Sequence, residues 1–292
     1  MLFFMLSGFL MAYLHIDQDF DRATVRTYAV RRCARVYPMF VIAAALLPLR
    51  DILLGGAGVQ RSAIVLFYVR QITLLDPGVS IFWTIRVEII FYAVFVAIWF
   101  LHGRLGSRLA TVSLLLAAEA VLSASGFTYG GGFPGTARYF LFGVISALLF
   151  QAAPRPRRMF ISALALLAFV ALPCSFPQVA KAWTGADIDP WHSNIVAAYY
   201  VALFSLLLRD RGWLQAFLAS PPARWLGRNS YSVYLLHSLV IAGVFAIVGH
   251  RASHLISGGA VLLGTLVIAG LSHAYVERPL QFLALRLGSP AR

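Results

Sequence analysis

Two arginines three positions apart can bind a phosphate-bearing ligand. Arg32 and Arg35 lie in a basic stretch just before an apolar run, and their spacing places both on one face of a helix. Guanidinium groups bind phosphate oxygens through paired hydrogen bonds. The alternative role is a basic anchor that contacts lipid headgroups.

A second candidate is a carboxylate inside an apolar segment. Glu88 lies near the start of that segment, and an ionisable residue within a membrane segment is costly and by default marks a functional site. Tyr92 follows four residues later on the same helical face, so its hydroxyl can donate to the carboxylate. The alternative is a buried structural pair with Arg86 or with an arginine of another helix.

Tyr231, Tyr234 and His237 recur every three residues and therefore cover one side of a helix. A neutral imidazole accepts a proton from a hydroxyl group, which makes His237 a candidate base. A histidine bonded to a neighbouring helix is the commoner outcome, so a structural role is favoured. Glu119 also lies within an apolar run. A charge there is costly, so Glu119 is notable for the same reason as Glu88.

The elements that must position these groups are predicted to be transmembrane helices. Of the 292 residues, 60% are hydrophobic and 12% are charged, against about 25% charged in a soluble domain. We therefore predict an all-α, polytopic transmembrane helix bundle that forms one integral-membrane domain over 1–292. About nine spans are expected, near 2–14, 38–54, 83–101, 109–124, 137–151, 159–173, 193–208, 230–249 and 256–276. The interrupted segment 61–75 is expected in the interface.

The basic residues alternate with these spans. Seventeen of the 24 lysines and arginines fall in the tail and in alternate loops, which the positive-inside rule assigns to the cytoplasm. This distribution explains the net charge of +13 and argues against a nucleic-acid partner, which requires basic residues gathered on one exposed face. The sequence contains no cysteine–histidine cluster with metal-ligand spacing, so no metal site is expected.

Short motifs occur along the chain in a recognisable order. They are FFMLSGFL (residues 3–10), RRCARVYP (31–38), FWTIRVEIIFY (82–92), LGRNSYSVYLLH (226–237) and VERP (276–279). Together they resemble the acyltransferase-3 family of bacterial membrane O-acyltransferases, which modify lipopolysaccharide, exopolysaccharide, nodulation factors and some glycosylated antibiotics. The resemblance runs from the first residue to about Pro279.

The resemblance implies a fold of about ten spans in the bacterial inner membrane and a transfer reaction. An acetyl or similar group would move from acyl-CoA to a hydroxyl of a cell-surface or exported carbohydrate. Arg32 and Arg35 match the RxxR element of the family, which is taken to lie near the acyl-CoA donor. Glu88 matches the glutamate of the WxLxVE element, and this match implies that Glu88 orients a catalytic base or the acceptor hydroxyl. The resemblance implies no metal.

The histidine regarded as catalytic in the family lies on its first helix and has no counterpart here. The first apolar run, 2–14, rises about 20 Å, less than the roughly 30 Å of a hydrocarbon core. We expect that the gene model starts too late and that the base lies on a preceding helix. The chain as given is then expected to lack acyl transfer activity.

Two other functions remain open. A glycolipid transporter or flippase also has many spans and intramembrane charges, although no paired segments suggest an inverted repeat. The chain can also be a non-catalytic remnant. Two local expectations complete the prediction: Ser7 and Gly8 serve close helix packing, and Glu277-Arg278-Pro279 ends the last helix.

Overall fold

The computed structural model of the protein is built from helices. It describes residues 1–53, 69–70, 73, 82–127, 133–152, 159–171, 176–185, 189, 193–210, 212–248 and 253–288. Within these ranges every regular element is helical, and no strand occurs. The predicted all-α class is therefore confirmed.

The helices with described bounds follow one another with short connections. In chain order they are α1 (Leu2–His15), α2 (Arg22–Leu53), α3 (Trp83–Leu105), α4 (Arg108–Ala124), α5 (Phe133–Ala152), α6 (Met159–Val170), α7 (Pro177–Thr184), α8 (Asn194–Arg209), α9 (Trp213–Leu218), α10 (Pro221–Val248), α11 (His254–Ser272) and α12 (Arg278–Gly288). A π-helical turn, His273–Glu277, joins α11 to α12.

Each of the nine predicted spans overlaps one of these helices, and four described helices are long and apolar enough to cross a membrane. These four are Trp83–Leu105, Phe133–Gln151, Pro221–Ile247 and Leu255–Arg286. Helices α1 and α8 are apolar but shorter. A multi-pass membrane protein is therefore confirmed, while the number of nine spans stays a prediction. Of the predicted interfacial segment 61–75, all but residues 69, 70 and 73 lie outside the described residues.

The chain divides into two compact units. Unit 1 consists of Met1–Thr24 and Val87–Ala223, and unit 2 of Val25–Arg86 and Arg224–Arg292. Unit 1 therefore contains α1, most of α3, and α4 to α9. Unit 2 contains most of α2 and α10, together with α11 and α12.

Helix α2 begins at a side-chain cap. Asp21 Oδ1 accepts hydrogen bonds from the backbone N–H groups of Ala23 (2.7 Å) and Thr24 (2.8 Å), and the Thr24 hydroxyl accepts one from the Asp21 N–H. These bonds satisfy donors of the first turn, which have no partner inside the helix. The Thr24 N–H, more than any other donor, holds the pKa of the Asp21 carboxyl below its ordinary value.

Helices α1 and α3 of unit 1 run in the same direction. Near their starts the Ser7 hydroxyl donates to Glu88 Oε1 (3.1 Å), and near their ends Trp99 Nε1 donates to the Gln18 carbonyl (2.9 Å). The two contacts are eleven residues apart on each segment. The start of α3 therefore lies beside the start of α1.

Helix α5 runs in the same direction as α1 and packs closely against it. The Phe4 and Phe140 rings are 4.9 Å apart near the start of α1, and Gln151 Nε2 donates to the Tyr13 carbonyl near its end. A methyl group at Gly8 would overlap the Phe140 carbonyl oxygen, and one at Gly143 would overlap backbone atoms of α1. Glycine on both helices lets the two backbones touch, which confirms that Gly8 serves close packing.

The last helix does not end at Pro279. It passes through the π-helical turn and continues as α12 to Gly288, so the expectation that Glu277-Arg278-Pro279 ends it is wrong. Proline removes a backbone N–H and crowds the carbonyl of the preceding turn. The wider π-helical turn lies just before Pro279, which occupies the first turn of α12, where a missing N–H is tolerated.

We expect Gly8→Ala and Gly143→Ala each to lower the free energy of unfolding by about 1–3 kcal/mol, the usual cost of overpacking. The added methyl group would overlap backbone atoms, which cannot rotate away. Thermal unfolding in detergent measures the effect. Gly103→Ala is the matched control, because nothing lies within 4 Å of its added methyl group. Equal melting temperatures for all three variants would contradict a requirement for close approach of α1 and α5.

Candidate functional site

Glu88 presents a buried carboxylate to two hydroxyl groups in unit 1. It is 6% exposed, and its Oε1 accepts hydrogen bonds from the hydroxyls of Tyr92 (2.6 Å) and Ser7 (3.1 Å). Tyr92 lies one turn later on α3, so the predicted contact between the two residues is confirmed. Ser7 belongs to α1 and was expected only to help packing. We call Ser7, Glu88 and Tyr92 the hydroxyl cluster.

Another polar group lies at the opposite end of unit 1. Arg108 Nη2 donates to Asp17 Oδ2 at 2.8 Å, just after α1 and at the start of α4. His102 Nδ1 lies 2.8 Å from Thr111 Oγ1, and its Nε2 lies 3.9 Å from Asp17 Oδ1. Because Arg108 is among the arginines expected on the cytoplasmic side, the hydroxyl cluster is expected toward the opposite face of the membrane.

Glu119 of α4 pairs with Arg138 of α5. Arg138 Nη2 donates to Glu119 Oε1 at 3.2 Å and to the Ser123 hydroxyl at 3.0 Å, and that hydroxyl donates to the same Oε1 at 2.7 Å. Glu119 was predicted from the sequence as a costly intramembrane charge, whereas Arg138 was not predicted. An arginine inside the predicted span 137–151 carries the same energetic signal as an intramembrane carboxylate, so that argument could have found it.

The two arginines predicted to bind the donor lie on α2 in unit 2. Arg32 is 9% exposed, and its guanidinium carbon lies 5.8 Å from the centre of the Tyr28 ring. Arg35 follows three residues later on the same helix and is exposed. Their side chains therefore differ in solvent access, although their spacing keeps them on neighbouring positions of one helical face. Arg35 is the more accessible of the pair to a ligand.

Aromatic hydroxyl groups join the sequence motifs within unit 2. The Tyr231 hydroxyl donates to the Val36 carbonyl at 2.7 Å, one residue after Arg35. The Thr84 hydroxyl, in the first turn of α3, donates to the Tyr234 hydroxyl at 3.0 Å. Helix α10 therefore contacts both α2 and the start of α3 through two of the three residues predicted to share one side of it.

His237 makes its hydrogen bond within its own helix. Nδ1 lies 2.7 Å from the Tyr234 carbonyl oxygen, which can only accept. Nδ1 therefore carries the proton of the neutral ring, and Nε2 has the lone pair that a base requires. The ring is half-buried on α10.

A second buried carboxylate, not singled out from the sequence as a site, lies at the π-helical turn of unit 2. Glu277 is 4% exposed and accepts hydrogen bonds from the Ser232 hydroxyl (2.7 Å) and from Gln281 Nε2 (3.0 Å). His273 Nδ1 lies 3.1 Å from its Oε2. A π-helical turn often marks a functional position, and this one ties the VERP motif to the motif on α10.

The predicted site residues thus fall into two groups. Glu88 and Tyr92 are in direct contact in unit 1. Arg32, Arg35 and His237 belong to unit 2, where hydrogen bonds tie their helices together. Among the described residues, no group of three or more histidines, cysteines or acidic residues lies close enough to hold a metal ion.

Comparison with known proteins gives two similarities. The family profile described as "Acyltransferase domain" matches residues 1–273. Nodulation protein 10 of Rhizobium leguminosarum bv. viciae is 25% identical over an alignment 316 residues long, which covers 95% of this chain and 80% of that protein. No solved structure matches the chain. The matched region includes both groups of candidate residues.

We expect Tyr92→Phe to lower the free energy of unfolding by about 1–3 kcal/mol, because it removes a donor from a buried carboxylate. Tyr275→Phe removes the same hydroxyl from a residue that is 77% exposed and serves as the control. Thermal unfolding of the purified variants in detergent measures both changes. Equal stability of the two variants would show that the Tyr92 hydroxyl does not stabilise Glu88.

Proposed function

The chain belongs to the acyltransferase-3 family of membrane acyltransferases, and we propose that it moves an acetyl or other short acyl group from acyl-CoA to a hydroxyl of a cell-surface or exported carbohydrate. The proposed setting is the inner membrane of a bacterium, with the donor supplied from the cytoplasm. Both the family and the chemistry of the candidate residues support this proposal.

The observation that carries the proposal is the buried hydroxyl cluster. A carboxylate within an apolar helix is costly and by default marks a functional site. Glu88 already binds two hydroxyl groups, from Ser7 and Tyr92, through one of its oxygens. A carbohydrate hydroxyl offers the same donor. Glu88 therefore orients the acceptor hydroxyl in the proposed reaction, and Tyr92 holds the carboxylate in position.

The donor is assigned to the arginine pair of α2. Acyl-CoA carries phosphate groups, which guanidinium groups bind through two parallel hydrogen bonds. Arg35 is exposed and makes the first contact in this proposal, while the more buried Arg32 completes the site. No metal takes part in the proposed reaction.

In the proposed reaction the acyl group moves from the thioester sulfur of acyl-CoA to the oxygen of the acceptor hydroxyl. The acceptor oxygen attacks the thioester carbonyl carbon, the carbon–sulfur bond breaks, and a base takes the hydroxyl proton, which the CoA thiolate finally receives. His237 is a candidate base in this scheme, because its Nδ1 bond to a carbonyl leaves Nε2 as a proton acceptor.

Radiolabelled acetyl-CoA separates transfer from transport. Membranes from cells that express the gene together with any in-frame codons upstream of Met1, called here the full-length protein, are incubated with the labelled donor, and lipopolysaccharide and exopolysaccharide fractions are then counted. We expect label in a carbohydrate fraction, reduced about 100-fold or more in Glu88→Gln, the order of loss when a group that positions a reactant is removed. Movement of a glycolipid across the membrane without label would reject the transferase in favour of a transporter.

The donor site has its own test. We expect Arg35→Ala to raise the KM for acetyl-CoA about 10-fold or more, because it removes charge-assisted hydrogen bonds to phosphate. Arg31→Ala removes the same charge from an exposed position outside the proposed pair and should change this KM little. Identical effects of the two variants would identify the arginines as a general membrane anchor.

A further inference from the structure

The reaction proposed above leaves the buried pair of Glu119 and Arg138 in unit 1 without a role. Arg138 is 3% exposed, and its Nη2 donates to Glu119 Oε1 at 3.2 Å. The Ser123 hydroxyl donates to the same Oε1 and accepts from the same Nη2. We call these three residues the paired-charge cluster.

Arg138 retains a donor that the cluster does not use. Its Nε is buried and has no hydrogen-bond partner among the residues that the structure describes. A buried N–H group without an acceptor loses its hydration and gains nothing in return. Among the described residues, the hydrogen bonds to the Glu119 carboxylate are accepted by Oε1. Oε2 is left as an acceptor on a side chain that keeps 17% exposure.

The paired-charge cluster lies at the same end of unit 1 as the hydroxyl cluster. The Phe91 ring of α3 stacks on the Phe140 ring of α5, with centres 4.0 Å apart and planes 18° apart. Glu88 precedes Phe91 by three residues, and Arg138 precedes Phe140 by two. Helices α3 and α5 run in the same direction as α1. Glu88 and Arg138 therefore both lie about 3 to 5 Å from the ring contact, toward the starts of their helices.

Helix α4 carries Glu119 toward that same end. It begins at Arg108, which pairs with Asp17 at the other end of unit 1. Glu119 follows Arg108 by eleven residues and contacts Arg138. Eleven helical residues rise about 16 Å. The paired-charge cluster is therefore well separated from the end of unit 1 where Asp17 pairs with Arg108.

The chemistry of the paired-charge cluster favours an uncharged ligand with hydroxyl groups. The carboxylate and the guanidinium cancel each other's charge, so net charge attracts neither a phosphate nor a cation. A sugar hydroxyl both donates and accepts, which matches the unused Nε–H donor of Arg138 and the Oε2 acceptor of Glu119. We propose that Glu119 and Arg138 form a subsite that binds a sugar ring of the carbohydrate acceptor, an inference that rests on the proposed function.

Acceptor kinetics test this subsite. Membranes with the full-length protein receive radiolabelled acetyl-CoA and the carbohydrate fraction, lipopolysaccharide or exopolysaccharide, that the unmodified protein labels. We expect Glu119→Gln to raise the KM for that fraction about 10-fold, as the loss of one charge-assisted hydrogen bond does. The KM for acetyl-CoA should stay unchanged. Ser123→Ala should raise the acceptor KM less, because it only loosens the carboxylate.

Ser125→Ala is the matched control, since the exposed Ser125 hydroxyl donates to the Leu122 carbonyl just after the same helix. It should keep both KM values. An unchanged acceptor KM in Glu119→Gln, or equal increases for donor and acceptor, would overturn the subsite. Failure of both Glu119→Gln and Ser123→Ala to fold would assign the cluster to the scaffold and also overturn it.

Failure of the proposed function would give a different result from failure of the subsite. In that case the unmodified protein itself transfers no label to either carbohydrate fraction, and the premise of the subsite is rejected with it. A defect confined to the variants, with a labelled product from the unmodified protein, concerns the subsite alone.

Discussion

A charged group inside an apolar helix must find its partners within the protein, because lipid tails offer no hydrogen bonds. Glu88 meets this requirement with the hydroxyls of Ser7 and Tyr92, and Glu119 meets it with Arg138. Each solution joins two helices, α1 with α3 and α4 with α5. The polar groups that serve the proposed chemistry therefore also join helices of unit 1 to one another.

Close contact of backbones makes these polar contacts possible. Gly8 and Gly143 bring α1 against α5 with no side chain between them, and the stacked rings of Phe91 and Phe140 bring α3 to the same helix. Ser7 is the neighbour of Gly8, so the close packing that fixes α1 also fixes the hydroxyl that reaches α3. Packing and chemistry in unit 1 depend on the same few residues.

Unit 2 uses hydroxyl groups for a related purpose. Tyr231 ties α10 to the backbone of α2 beside the arginine pair, and Tyr234 ties it to Thr84. Ser232 ties the same helix to Glu277 at the π-helical turn. Short motifs that are far apart in sequence thus become neighbours, because one helix presents three hydroxyl groups to three different segments.

Hydropathy and the alternation of arginines determined the helical class and the membrane location from the sequence alone, since both are properties of single segments. The contact of Glu88 with Tyr92 could also be predicted, because four residues make one helical turn. Only the tertiary structure assigned Ser7 to Glu88, 81 positions away, and Arg138 to Glu119, 19 positions away. Helix pairing depends on how whole surfaces fit together, and local periodicity does not encode that fit.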